Sequence, residues 1–198
     1  MAITINGTGS ITGLTAGGLP DGSITSDDIA AGAVTAAKLA AGAGGKILQV
    51  VQGSSDSVVS GAGSTWVANP ATVSITTSSA SSKILLLFHS SAWGTSLNDM
   101  GYRFLRGTTP IGVATSGAYA MKATQLNAVQ YAQNYVLNPV SMNFLDSPGA
   151  AGTYTYSVEG QIQGPSGAGL FQWNATINTT GSDSGQCLSA LIAMEVQG

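Results

Sequence analysis

Thr153-Tyr154-Thr155-Tyr156-Ser157-Val158 alternates hydroxyl-bearing residues with large apolar ones. Side chains of a β-strand point to opposite faces with a period of two, so Tyr154, Tyr156 and Val158 share one face and the three hydroxyls the other. A strand of this kind has one face on a core and one in water, as in antiparallel sheets. Eight further stretches are rich in β-branched, aromatic or other apolar residues: 46–52, 72–76, 83–90, 102–105, 131–137, 140–145, 170–177 and 187–196. Between them lie turn-forming clusters such as Asn69-Pro70, Gly107-Thr108-Thr109-Pro110, Ser147-Pro148-Gly149 and Gly164-Pro165-Ser166-Gly167. About nine short strands without a long helical period predict an all-β chain folded as a β-sandwich.

One strand breaks the alternation. Ile84-Leu85-Leu86-Leu87-Phe88 is apolar at every position, so both of its faces need cover, one from the core and the other from a neighbouring subunit. Composition points the same way. Only 8% of the 198 residues are charged, against roughly 25% in an ordinary soluble domain, and the 27 Gly with abundant Ser, Thr and Ala leave a surface with little charge repulsion. An apolar content of 43% and a net charge of −3 are unlike a disordered chain. Six Lys and Arg do not make the basic stripe that binds a phosphate backbone, so nucleic acid is not an expected partner. No apolar run reaches the ~20 residues of a spanning helix, and MAITINGTGS has neither the basic start nor the apolar stretch of a signal peptide. Membrane insertion is therefore not expected, and synthesis in the cytoplasm is.

The chain changes character at Lys46. Residues 1–45 contain no aromatic side chain, while 46–198 hold all 3 Trp, 6 Tyr and 4 Phe, which predicts a stem or anchor over 1–45 and a sandwich head over 46–198. Within the stem the decapeptide 22–31 is followed at once by a second, 32–41, and Leu14, Leu19, Ile24, Ile29, Val34 and Leu39 recur every five residues. Neither the 3.6 period of a helix nor the 2.0 of a strand gives five, so short extended pieces should alternate with single turns. Gly22, Gly32 and Gly42 mark the breaks, and Thr25 with Asp28 is a one-turn capping box. Six aliphatic side chains at ~1.5–3 kcal/mol each do not offset ~1–2 kcal/mol of backbone entropy for each of some thirty residues. The stripe therefore needs other chains, and three wound about an axis supply the missing area. The rival arrangement is a single-chain pentapeptide coil, with Leu14, Leu19, Ile24, Val34 and Leu39 as central residues and Asp27 departing from the small residue expected before Ile29.

Gly9-Ser10-Ile11-Thr12-Gly13-Leu14-Thr15 through Ile24-Thr25, with the Ala-Gly-Ala-Val-Thr-Ala-Ala-Lys-Leu-Ala run after it, resembles segments of bacteriophage tail-fibre and other virion proteins. Lys83-Ile84-Leu85, Tyr102–Gly107, Phe144–Gly149 and Ser189–Glu195 look like a domain common among phage structural proteins. That resemblance implies a jelly-roll head, similar in plan to tumour-necrosis-factor-like heads, that trimerises behind an elongated, mostly irregular stem.

Chemistry is sparse. His89 is the only His and ends an apolar strand, which reads as a core or interface residue rather than a base, and Cys187 in an apolar stretch reads as a buried, inert thiol. One His and one Cys do not build a His/Cys metal site in one chain, and no Gly-x-Ser-x-Gly elbow is present. Asp56, Asp99, Asp146, Glu159 and Glu195 are scattered, with no spacing that brings two together as a hydrolytic pair. Neither enzymatic activity nor a cofactor is expected. Trp66, Trp93, Trp173, Tyr119 and Tyr131, with Asn98, Asn127, Asn134 and Asn174, are the residue types that stack on and hydrogen-bond a saccharide. Trp93 is the first choice, with Asn98, because the strand pattern gives way there to a polar stretch expected to be an exposed loop. Taken with that resemblance, the sequence implies a virion structural protein, a homotrimeric short tail fibre. Leu14, Leu19, Ile24, Ile29, Val34 and Leu39 bind copies of the chain and other virion proteins, and the head touches a host glycan or protein. The alternative is a capsid decoration protein or head fibre that binds no receptor.

Overall fold

The computed structural model describes residues 4–5, 11–12, 22, 24–35, 38–39, 46–62, 64–94, 99–116, 121–128, 137–163, 169–175 and 185–198. The chain divides into two units, Met1–Gly45 and Lys46–Gly198.

In the first unit β1 (Thr4–Ile5) pairs antiparallel with β2 (Ile11–Thr12). The two decapeptides share a geometry. Gly22 and Gly32 both take the left-handed conformation, at φ 79° and 76°, where a Cβ is disfavoured. Three residues later each repeat turns: the Asp28 N–H donates to the Thr25 carbonyl at 3.2 Å and the Lys38 N–H to the Thr35 carbonyl at 2.9 Å. Around the first turn, the 3-10 segment Ser26–Asp28, Thr25 and Ile29 are extended. The Asp28 carboxylate accepts the Thr25 N–H at 2.9 Å and the Thr25 hydroxyl at 2.8 Å, and these bonds hold it below the usual carboxylate range. Between these two turns the Ala33 N–H donates to the Ala30 carbonyl at 2.9 Å, so turns recur at five-residue steps along the repeats.

Among the described residues the second unit has twelve strands: β3 (Ile47–Ser55), β4 (Val59–Ala62), β5 (Val67–Ala68), β6 (Val73–Thr77), β7 (Lys83–Gly94), β8 (Asp99–Arg106), β9 (Thr109–Ile111), β10 (Gln125–Ala128), β11 (Asn138–Asp146), β12 (Gly152–Gln163), β13 (Leu170–Trp173) and β14 (Ser189–Val196). They form two six-stranded antiparallel sheets. One runs β3-β14-β7-β13-β4, with β11 on the far side of β7; the other runs β10-β8-β12-β5, with β6 also on β12 and β9 on β8. The expected segment 131–136 lies outside the described residues. β4, β5, β9 and β10 are additions to the sequence reading. They hold two to four residues each, rich in Ser, Gly, Ala, Pro or Gln, and they pair because β8, β12 and β13 offer open edges, a tertiary effect that outweighs propensity.

The two sheets enclose one core. Tyr156 and Val158 are fully buried while Thr153 and Thr155 are exposed, as the alternation requires. Across the core, Ile84, Leu86 and Phe88 of β7 face Tyr102, Phe104, Tyr156 and Val158. Trp173 is its centre, edge-on to Phe171 and Phe88 at 5.0 and 5.9 Å between ring centroids, and its Nε1–H donates to the Val67 carbonyl at 3.0 Å. Gly160 lies under these rings, and a Cβ there would overlap Phe171. Leu85 and Leu87 point to the other face of β7 and are half-buried.

Candidate functional site

Trp93 is not on an exposed loop. β7 continues through Ser90, Ser91 and Ala92 to Gly94, with Ala92 paired to Asn138 on one side and Trp173 on the other, and Trp93 is 1% exposed. Small residues did not end the strand because β11 and β13 hold both of its edges. Asn98 lies outside the described residues, as do Tyr119, Tyr131 and Asn134. Asn174 is buried, at φ 67°. Its Oδ1 accepts from the Ser90 and Ser189 hydroxyls at 3.2 and 2.6 Å, and its Nδ2 donates to the Ser55 and Ser57 carbonyls at 3.2 and 3.0 Å. Asn69 Nδ2 completes this core network by donating to Ser189 Oγ at 2.8 Å. Asn127 is half-buried and bonded within the fold, accepting from Gln125 and donating to the Pro139 carbonyl.

Trp66 is the aromatic that the outer surface offers among the described residues. It is half-buried, and the Arg103 guanidinium lies 3.9 Å above its ring. Glu159, opposite Arg103 in the β12–β8 register, accepts from Arg103 Nη2 at 2.8 Å and Nε at 3.0 Å. The guanidinium is thereby both stacked and ion-paired. Next to this group the same face carries paired hydroxyls, Ser74 with Thr155 and Thr76 with Thr153, each at 2.8 Å.

Two carboxylates that are far apart in sequence share one row of the other sheet. Asp146 and Glu195 both pair with Ile84, from opposite sides, which sets their backbones about 9–10 Å apart. Both point inward and are buried. Asp146 accepts from Arg106 Nη1 at 3.0 and 2.9 Å and from the Tyr156 hydroxyl at 2.7 Å. Burial, reinforced by that carboxylate, pushes the Tyr156 phenol above its ordinary range. For Glu195 burial alone favours the neutral acid, yet bonds from Gln49 Nε2, the Ser78 N–H and hydroxyl, and the Ser82 hydroxyl hold it down to about 2. A glycosidase acid needs a raised pKa and a reachable proton. Here one carboxylate is an anion wrapped in donors and the other is ion-paired, so the pair works as two clamps that close one end of the sandwich.

His89 is exposed on the outer face of β7, between Ser141 and Ala190 in register, and is not a core residue. Cys187 is half-buried, not buried. It precedes β14 by two residues, in a connection whose N–H bonds the Asn174 carbonyl at 2.7 Å. Among the described residues no cluster of three or more His, Cys, Asp or Glu is placed to hold a metal ion, and no helix is long and apolar enough to cross a membrane.

In the first unit Ile24, Ile29, Val34 and Leu39 are 56%, 43%, 50% and 40% exposed, while Leu14 and Leu19 lie outside the described residues. A pentapeptide coil buries its central aliphatic residues inside its own turns, and these four are not so buried. No protein-family model and no curated protein sequence matches this chain.

Proposed function

We propose that the chain is a self-associating structural protein of a bacteriophage particle, a short homotrimeric tail fibre whose first unit anchors it to other virion proteins and whose second unit is the head presented to the host. The observation that carries this reading is the uncovered stripe Ile24, Ile29, Val34 and Leu39 on a structurally repeating segment. Four large aliphatic side chains at regular spacing, about half exposed in the single chain, call for other polypeptide to cover them. The strand orders β3-β14-β7-β11 and β6-β12-β8-β10 support the jelly-roll plan of the head, because they are those of an eight-stranded double Greek key.

A second reading, capsid decoration without a receptor, is favoured by the outer face of the second sheet. Its hydroxyls satisfy one another and its Arg103 is already stacked and ion-paired, which leaves few groups free for a ligand. Imaging of intact particles with the chain labelled tests both readings. Density at the tail tip supports the fibre, density on the capsid supports decoration, and absence from the particle contradicts both.

A further inference from the structure

On the outer face of the first sheet, four strands bring one apolar side chain each into a single row. Leu145 of β11 pairs with Leu85 of β7, Leu85 with Met194 of β14, and Met194 with Val50 of β3. Leu145 and Val50 are 47% and 56% exposed, and Leu85 and Met194 are half-buried. The next row adds Leu87 and Ile192 at its centre, between Asn143 and Gln52. The row after that is Ser141, His89, Ala190 and Ser54. No Asp, Glu, Lys or Arg projects from these three rows, and Lys83 stands at their margin. The second sheet presents a different outer face, with the Arg103–Glu159 ion pair and the paired hydroxyls.

We infer that the outer face of β3-β14-β7-β11 is the surface on which copies of this chain meet, and that the opposite face of the sandwich is turned to solvent. This rests on the self-association proposed above and says which side of the head provides it. Symmetry argues for a second copy rather than a foreign partner. Around the three-fold axis of the proposed trimer the residues close to the axis meet their own copies, so any charged residue there meets its own sign. A face that is apolar along one row, uncharged in three, and bounded by a lysine satisfies that condition. The opposite face, with fixed charges and few large apolar groups, does not. An apolar centre with a polar margin is also the ordinary anatomy of a subunit interface.

Thiol accessibility tests the assignment in the full chain. Leu145→Cys and, separately, Leu126→Cys are made with Cys187→Ala; Leu126 is 58% exposed on the outer face of the other sheet, where it pairs with Gly101. Each protein is labelled with a maleimide at a concentration where sedimentation shows the oligomer. The expected result is labelling at Leu145→Cys at least about tenfold slower than at Leu126→Cys, since a covered thiol reacts slowly. Equal rates, or slower labelling at Leu126→Cys, overturn the assignment. Val50→Cys repeats the test if the first variant does not fold. A chain that sediments as a monomer defeats the self-association reading itself, whereas an oligomer with equal rates defeats only the choice of face.

Discussion

Glu195 lies near the end of an apolar strand and is 1% exposed, a position that disfavours a carboxylate unless donors surround it. The donors come from Ser78 and Ser82, 117 and 113 residues away, and from Gln49, 146 residues away. Separations of that size are why the sequence shows only an isolated acid. The folded carboxyl titrates at about 2, below its ordinary 4.5, so its contribution to stability is present above pH 4.5 and is lost as pH falls from 4.5 towards 2. Glu195→Gln should lower stability at neutral pH by about 1–3 kcal/mol, because several buried donors lose a charged acceptor. It should also flatten the fall in melting temperature over that acid range. Thermal melts of both proteins from pH 7 to pH 2 read this, and an unchanged acid slope would show that another group is responsible. At Gly160 the constraint is space. The Phe171 and Trp173 rings rest on its backbone, and Gly160→Ala should cost about 1–3 kcal/mol through overpacking, measured by urea denaturation with a wild-type m-value. A cost near zero would mean that the rings shift freely.

Strands were legible where residue type and length agreed. The Thr153–Val158 alternation sets the inward face of β12, and the unbroken run in Ile84–Phe88 marks β7 as apolar on both sides, as the outward Leu85 and Leu87 show. The end of β7 was not legible. Ser90-Ser91-Ala92-Trp93-Gly94 reads locally as a strand running out, but β11 and β13 hold it extended and Trp93 goes inside the unit. That single extension removed the favoured receptor residue, while the half-exposed Trp66 was one of several equal aromatics in the sequence. In the first unit, the Thr25–Asp28 box is readable because both partners lie within one turn. If the proposed function holds, replacing Ile24, Ile29 and Val34 together by Ser should leave the second unit's melting transition in place and stop incorporation into particles. Immunoblots of purified particles check this, and normal incorporation would remove the first unit from any anchoring role.

At the scale of the whole chain, the low charge and the two uncovered apolar surfaces describe the same property. A charge content of 8% gives little protection against association. On the reading proposed above, the exposed aliphatic residues are where copies meet, along the repeats of the first unit and across four strands of the second. On the opposite sheet, the hydroxyl ladders and the outward Arg103–Glu159 ion pair make a polar face. Sedimentation equilibrium of the purified full-length chain at micromolar concentration tests this account most directly. The account predicts a particle of three times the 19.7 kDa chain mass, about 59 kDa, and a single species at 19.7 kDa would contradict it.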